Sequence, residues 1–310
     1  MKQINNKNIY IIIIISFLLC CISNENNCGL FVKKIECKKT KVVLNKPSAV
    51  VTKLSSKKVI QSHLRRWNCE KYQDILCRRI EIGDENEVWG LYENNLIVRF
   101  SNEFIEEIEL KLDGYIIDFT YIKPNAFYVI YENNNSWYGG LLDVQNQALE
   151  NISLLNNARN IKWSEKNNEL YFIDFNKVLR KITMEDKRLF FLDDEVLDSF
   201  VNNKHLLYAK NKEFITVELS SGISQKYVYD RRIDIIHGVS TKGSCYVEKK
   251  ISDTKSLDIN EKSGLYLINR KGNFRIINAC IQKVDISNNN LAIVSKEGEK
   301  EFLNLYLTNE

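Results

Sequence analysis

An all-β fold, a ring of six four-stranded blades forming a six-bladed β-propeller, is what this sequence predicts, and three observations predict it. From about residue 76 onward, short alternating strands are broken by Asn, Gly, Lys and Glu turns, with no helical period of useful length. A turn after the first strand of each unit recurs at Asp84, Pro124, Asn167, Asn203, Lys242 and Asn289, in steps of 40, 43, 36, 39 and 47 residues. Those steps are the size of one blade. Aromatic residues make up 11% of the chain and prolines number only two, a composition suited to pleated, half-buried strands. A pair of β-sandwiches is the alternative way to pack such strands.

Taken from the start, residues 1–20 read as a signal peptide. Lys2 and Lys7 precede an unbroken apolar run over 9–19, and a polar stretch follows. The run is too short for a membrane-spanning helix, which needs roughly 20 residues. It ends in Leu18-Leu19-Cys20-Cys21, which resembles the relaxed lipobox of bacterial lipoproteins. That resemblance implies Cys21 as the lipidated residue. Cys20 departs from the usual small residue at its position, which leaves Cys20 as an alternative acceptor and unlipidated cleavage as a third outcome.

Residues 21–73 form a basic tether. Between 33 and 66 there are eleven Lys and Arg residues against Glu36 alone, although the whole chain carries only +4. Such a segment beside a lipid anchor can adsorb to anionic headgroups or lie on its own acidic domain. Nucleic acid is excluded as the natural partner, because no recognition motif accompanies the charge. Of the remaining cysteines, Cys28, Cys37, Cys69 and Cys77 cluster around the tether, where an oxidising compartment would allow one or two disulfides. Zinc is not expected, since no cysteine pair has ligand spacing and His63, His205 and His237 are scattered.

The propeller domain is expected over 74–310. Its third unit reads as strands over 161–165, 170–174, 178–182 and 188–192, and its fourth as strands over 196–201, 205–210, 213–219 and 225–229. The last unit offers 283–287, 291–295 and 301–307 and ends one strand short. An open edge in a ring invites closure by the other terminus, and 41–44 or 49–54 is expected to supply the strand.

Enzymatic motifs are absent from the sequence: there is no nucleophile elbow, zinc-protease helix or phosphate loop, and no cofactor is expected. One constellation does emerge. The innermost strands carry Asp118, Asp198, Asp234 and Asp285 among apolar neighbours, and the other two supply Arg78 and Arg79 or Lys162. In a closed ring these converge on the axis as an acidic channel mouth suited to a cation or a basic peptide, unless each aspartate instead caps local backbone donors. Trp137, placed by its neighbours at an exposed loop, is a candidate for ligand stacking.

With its propeller and lipobox, the chain is similar in architecture to the propeller lipoprotein of the outer-membrane β-barrel assembly machinery, without that family's repeat Gln and Trp signatures. The resemblance implies a non-enzymatic, membrane-anchored scaffold of the cell envelope, monomeric or one subunit of a hetero-complex, that binds an envelope protein. A surface adhesin for a host ligand and a periplasmic hydrolase or ligand-binding propeller are the alternatives. In a eukaryotic secretory setting the sequons at Asn134 and Asn151 become glycan sites.

Overall fold

The structure, a computed structural model, describes residues 32–44, 60–228, 234–249, 264–269, 272–277, 280–287, 290–297 and 299–308. Cys20, Cys21, Cys28 and the segment 49–54 lie outside them.

Three strands, β1 (Val32–Lys34), β2 (Glu36–Val43) and β3 (Ile60–Asn68), precede the blades. Blade 1 then holds β4 (Cys77–Ile82), β5 (Val88–Tyr92), β6 (Leu96–Phe100) and β7 (Phe104–Lys111). Blade 2 holds β8 (Tyr115–Lys123), β9 (Ala126–Asn133), β10 (Ser136–Asp143) and β11 (Ala148–Asn151). Blade 3 is β12 (Arg159–Ser164), β13 (Glu169–Ile173), β14 (Leu179–Thr183) and β15 (Arg188–Asp193). Blade 4 is β16 (Asp198–Val201), β17 (His205–Ala209), β18 (Glu213–Glu218) and β19 (Ser224–Val228). Blade 5 is β20 (Asp234–Val239), β21 (Cys245–Lys249), β22 (Gly264–Asn269) and β23 (Gly272–Ile277). Blade 6 is β24 (Cys280–Ser287), β25 (Asn290–Glu297), β26 (Lys300–Thr308) and, from the other terminus, β3.

Each blade is one antiparallel sheet, and the first strands β4, β8, β12, β16, β20 and β24 touch in sequence around the axis, β24 returning to β4. The chain is a six-bladed β-propeller, as its repeat predicts. Alternation explains why both faces of a blade are apolar: along β5, Val88 and Tyr92 enter the core shared with blade 6, while Trp89 and Leu91 enter the core shared with blade 2. Similar clusters fill the other interfaces, such as Tyr128, Ile161 and Phe172 between blades 2 and 3. Asparagine does much of the turning that glycine does elsewhere. The two-residue link from β9 to β10 is Asn134 and Asn135, at φ 50° and 61°, where the short amide side chain tolerates the left-handed region.

The closing strand is a correction to the sequence reading. β3, not 41–44, pairs with β26, with Trp67 opposite Leu303 and its indole buried between blades 6 and 1. The reason is chain continuity: β3 leads directly into β4, the inner strand of blade 1, which lies beside blade 6. Residues 41–43 form instead the end of β2, which adds a fifth strand to blade 1 along β7, and β1 adds a fifth strand to blade 2 along β11. The N-terminal segment is thus a strap over blades 2, 1 and 6. Ion pairs join it to β7 in both senses: Lys38 stands 3.5 Å from Glu109, and the strap's one acid, Glu36, is 2.5 Å from Lys111.

The expected disulfides are a second correction for the three described cysteines of that group. Cys37, Cys69 and Cys77 carry free thiols; Cys69 and Cys77 are buried in the core between blades 6 and 1, pointing their Sγ atoms at the carbonyls of Trp67 and Arg79.

Candidate functional site

The inner strands alternate, so residues two apart on each one point into the ring axis. β4 presents Arg79 and Glu81, β8 presents Asp118 and Thr120, and β12 presents Asn160 and Lys162. Asp198 arrives from β16 and Asp285 from β24. Asp234 opens β20, but its side chain lies outside the description.

These side chains interlock. Arg79 places Nε 2.9 Å from Glu81 Oε1 and a terminal nitrogen 2.5 Å from Asp118 Oδ1. Lys162 Nζ lies 2.6 Å from Glu81 and 3.3 Å from Asp285, so one lysine joins blades 3, 1 and 6 across the axis. The aspartates also accept backbone N–H groups: Asp118 from Ile161 at 2.9 Å, Asp285 from Ile82 at 2.8 Å and Asp198 from Ser199 at 2.9 Å. The first two bonds run from one blade to the next. Asn160 donates its amide to Asp198, and Thr120 accepts from Trp163 N–H at 3.1 Å.

Burial dominates the electrostatics of this plug. It pushes the carboxyls of Asp118, Asp198 and Asp285 above the ordinary aspartate range, against the pull of Arg79 and Lys162 or, at Asp198, of Asn160. Burial acts on Glu81 in the same sense, but Lys162 and Arg79 together outweigh it and hold that carboxyl low. Burial likewise works against the Arg79 charge, and Asp118 and Glu81 overcome it, so its pKa is raised.

The plug divides the axis into two vestibules. At the end where the inner strands finish, a cavity of about 440 Å³ has Glu81, Lys162 and Asp285 as its floor, Trp163 and Tyr121 in its wall, and a rim of Asp84, Glu85, Asn86, Glu165, Asn202 and Asn203. At the end where they begin, a cavity of about 370 Å³ is lined by Arg78, Arg79, Lys283 and Gln282, with His237 3.0 Å from Glu248. The two mouths therefore differ in sign, one acidic and rich in carboxamides, the other basic. Rim residues differ in freedom too. Asp84 accepts the Tyr121 hydroxyl at 2.9 Å and Asn202 bonds the carbonyls of Val239 and Ser240, whereas Glu85 and Glu165 are exposed.

Of the residues singled out in the sequence, Asp118, Asp198 and Asp285 are brought together, with Arg79 and Lys162 among them. Trp137 is elsewhere: it lies in β10 rather than in an exposed loop, half-buried against the core of blades 2 and 3, which corrects its placement. Cys21 lies outside the described residues. The sequence reading missed Glu81, Thr120 and Asn160. Their signal was the two-residue spacing from Arg79, Asp118 and Lys162, visible once the strand register is known.

No protein-family model matches the chain, and comparison with curated proteins finds no match. Solved structures match in fold. A gluconolactonase from Xanthomonas campestris, XC5397, superposes with a TM-score of 0.54 at 8% identity, over 86% of this chain and 97% of that one. The extracellular domain of the one-component system BT4673 from B. thetaiotaomicron gives 0.46 at 11% identity over 73% of this chain, which spans only 33% of that one. YCF48, solved bound to D1 peptide, gives 0.45 at 11% identity, over 79% and 95% of the two chains. The ring of six antiparallel sheets defines the class, a β-propeller.

Proposed function

We propose that this chain is a non-enzymatic binding propeller of the cell envelope, held at a membrane by lipid on Cys21, which receives a basic, polar segment of a protein partner in its acidic vestibule. The observation that carries the reading is the contrast between plug and rim. Inside, the carboxylates are engaged by Arg79, Lys162, Asn160 or backbone N–H groups and serve the ring. Outside, Glu85 and Glu165 stand exposed above a cavity large enough for a few side chains, beside carboxamides that can bond a peptide backbone. Of the four aspartates anticipated as an acidic ring, Asp285 lies in the floor of this mouth and Asp198 lines the opposite vestibule, so the proposed contact surface is the rim rather than the ring.

The role of a scaffold, in outer-membrane protein assembly or otherwise, rests on the lipobox resemblance and on this mouth. The test is cross-linking in intact producing cells, followed by recovery of the chain and identification of what is attached. Charge reversal of both rim acids, Glu85→Lys with Glu165→Lys, should abolish the cross-linked product while leaving the melting temperature within a degree or so, as surface changes usually do. A product unaffected by the double reversal would remove this mouth from the binding surface.

A further inference from the structure

The outer edges of the blades are treated unequally. On blades 1, 2 and 6 the strap lays a strand along the outside, β2 on β7, β1 on β11 and β3 on β26. Blade 3 comes next past β1, and among the described residues no strand pairs with its outermost strand, β15. Leu189, Phe190, Phe191 and Leu192 run consecutively along it, exposed by 41%, 40%, 61% and 36%. Four apolar residues in a row put hydrophobic surface on both faces of the strand, together with a row of backbone donors and acceptors. Monomeric proteins commonly defend such an edge with lysine, proline or a cover. The outer strand of blade 4, β19, has Lys226 within it; β15 has no charge between its ends.

The ends of β15 say what fits there. Lys187 and Arg188 stand at its start and Asp193 and Asp194 at its finish. We propose that this edge is a self-association surface, on which a second copy of the chain adds its own β15 antiparallel across a two-fold axis. Antiparallel pairing with Phe190 opposite its own counterpart brings Leu189 against the second copy's Phe191. It also sets the basic start of each strand beside the acidic finish of the other, where opposite charges across strands are favourable. That register uses the regular run of β15 and leaves its bulge, at Leu192 between the pairs made by Phe191 and Asp193, at the margin. Phe175, 80% exposed in the turn between β13 and β14, lies at the Asp193 end because Leu179 pairs with Asp193, and it extends the apolar contact.

Existing partners do not block the arrangement. Arg188 reaches its own Asp186 at 3.0 Å with both side chains well exposed, a pairing of the kind that solvent makes cheap to exchange. Asp193 is held by Lys210 at 2.7 Å, and Asp194, 67% exposed at its side chain, lies 3.6 Å from the same lysine. An edge of one strand is small, so the dimer is reversible and concentration-dependent rather than obligate. It stands against the monomer or hetero-complex subunit expected from sequence, and is independent of the mouth.

Sedimentation velocity of the purified chain carrying Cys20→Ser and Cys21→Ser, so that no lipid contributes, tests it across the micromolar range. The expected result is a monomer–dimer equilibrium. Phe191→Lys should weaken it by about tenfold or more. Arg188→Glu should weaken it also, and adding Asp194→Arg should restore it, a rescue that a merely destabilised variant would not show. A monomer at every concentration overturns the proposal, as does a dimer indifferent to Phe191→Lys. Flotation with phosphatidylglycerol-containing vesicles that is lost in Phe191→Lys, from a chain that stays monomeric, overturns it in favour of a bilayer as the occupant.

Discussion

Asp118 shows how one residue can look like a site and hold a ring together. It accepts Ile161 N–H from the neighbouring blade and faces Arg79 at 2.5 Å, so removing its charge leaves a buried guanidinium with half its compensation. Asp118→Asn is expected to cost about 3–5 kcal/mol, the range for breaking a buried pair by one partner, read from denaturant melts. An unchanged or raised stability would instead mark the like-charge strain of a binding ring. Asp198 allows a pH test. Burial raises its folded pKa above the ordinary 3.8, so the folded state holds that proton more tightly than the unfolded one. Its contribution is therefore full below 3.8 and lost as pH rises through the folded value. Melting the wild type and Asp198→Asn in a pH series should show the wild type gaining on the variant as the solution is acidified. Glu81 acts in the opposite sense: its folded pKa lies below 4.5, so its contribution is present above that value and lost as pH falls through the folded one. Thiols follow burial too. Cys69 and Cys77 are pushed up to about 12 by burial, chiefly, so alkylation mapped by peptide mass should reach half-buried Cys37 and spare those two until the chain unfolds.

At the scale of elements, the strap's three strands do different jobs. β3 carries Trp67 into the core between blades 6 and 1, with the Arg66 guanidinium 3.6 Å over the Phe302 ring, and it closes the ring. β2 lies along an edge whose own residues include Glu106 and Glu109, charges that discourage stray pairing when the cover is gone. Truncation after residue 44 should therefore lower the melting temperature modestly and leave a soluble chain, whereas truncation after residue 68 should unzip blade 6 and aggregate. Trp67→Ala alone should cost about 3–5 kcal/mol, the usual range for a buried tryptophan. Chromatography and melting of the two truncations decide the matter; equal behaviour would mean that β3 is not the clasp. This is also where reading from sequence met its limit. The blades were legible because alternation and turns recur locally, as in β12–β15, whose strands differ from the sequence reading by one or two residues at most. The clasp was not, because β3 reads as Ile-Gln-Ser-His-Leu-Arg-Arg-Trp-Asn, with no clean alternation, and its partner lies more than 200 residues away in the chain.

For the whole molecule, legibility divides along the same line. The inward aspartates could be found because one acid stands out in each apolar strand, but their engagement by Arg79, Lys162 and Asn160 depends on five blades meeting at the axis, which spacing alone cannot reveal. The same is true of the basic N-terminal segment, whose charge suggested a membrane surface. In the fold, Lys33 stands 2.5 Å from Asp113, Lys38 faces Glu109, and Lys41 sits 3.5 Å over the Phe104 ring. Each basic residue near an anionic surface contributes on the order of 1 kcal/mol, and an acid of the blades beside it offsets part of that. An anchor made by Cys21 and an anchor made by the arm then differ in their response to salt. If the lipid holds the chain, wild type should stay with the membrane fraction through a high-salt wash, and Cys21→Ser should appear in the soluble fraction even at low salt. If the arm holds it, Cys21→Ser should remain bound at low salt and leave as the Debye length shrinks below about 10 Å. Retention of Cys21→Ser until salt is added would assign the anchoring to the arm, and a parallel variant with Cys20→Ser would show whether the neighbouring cysteine had taken the lipid instead.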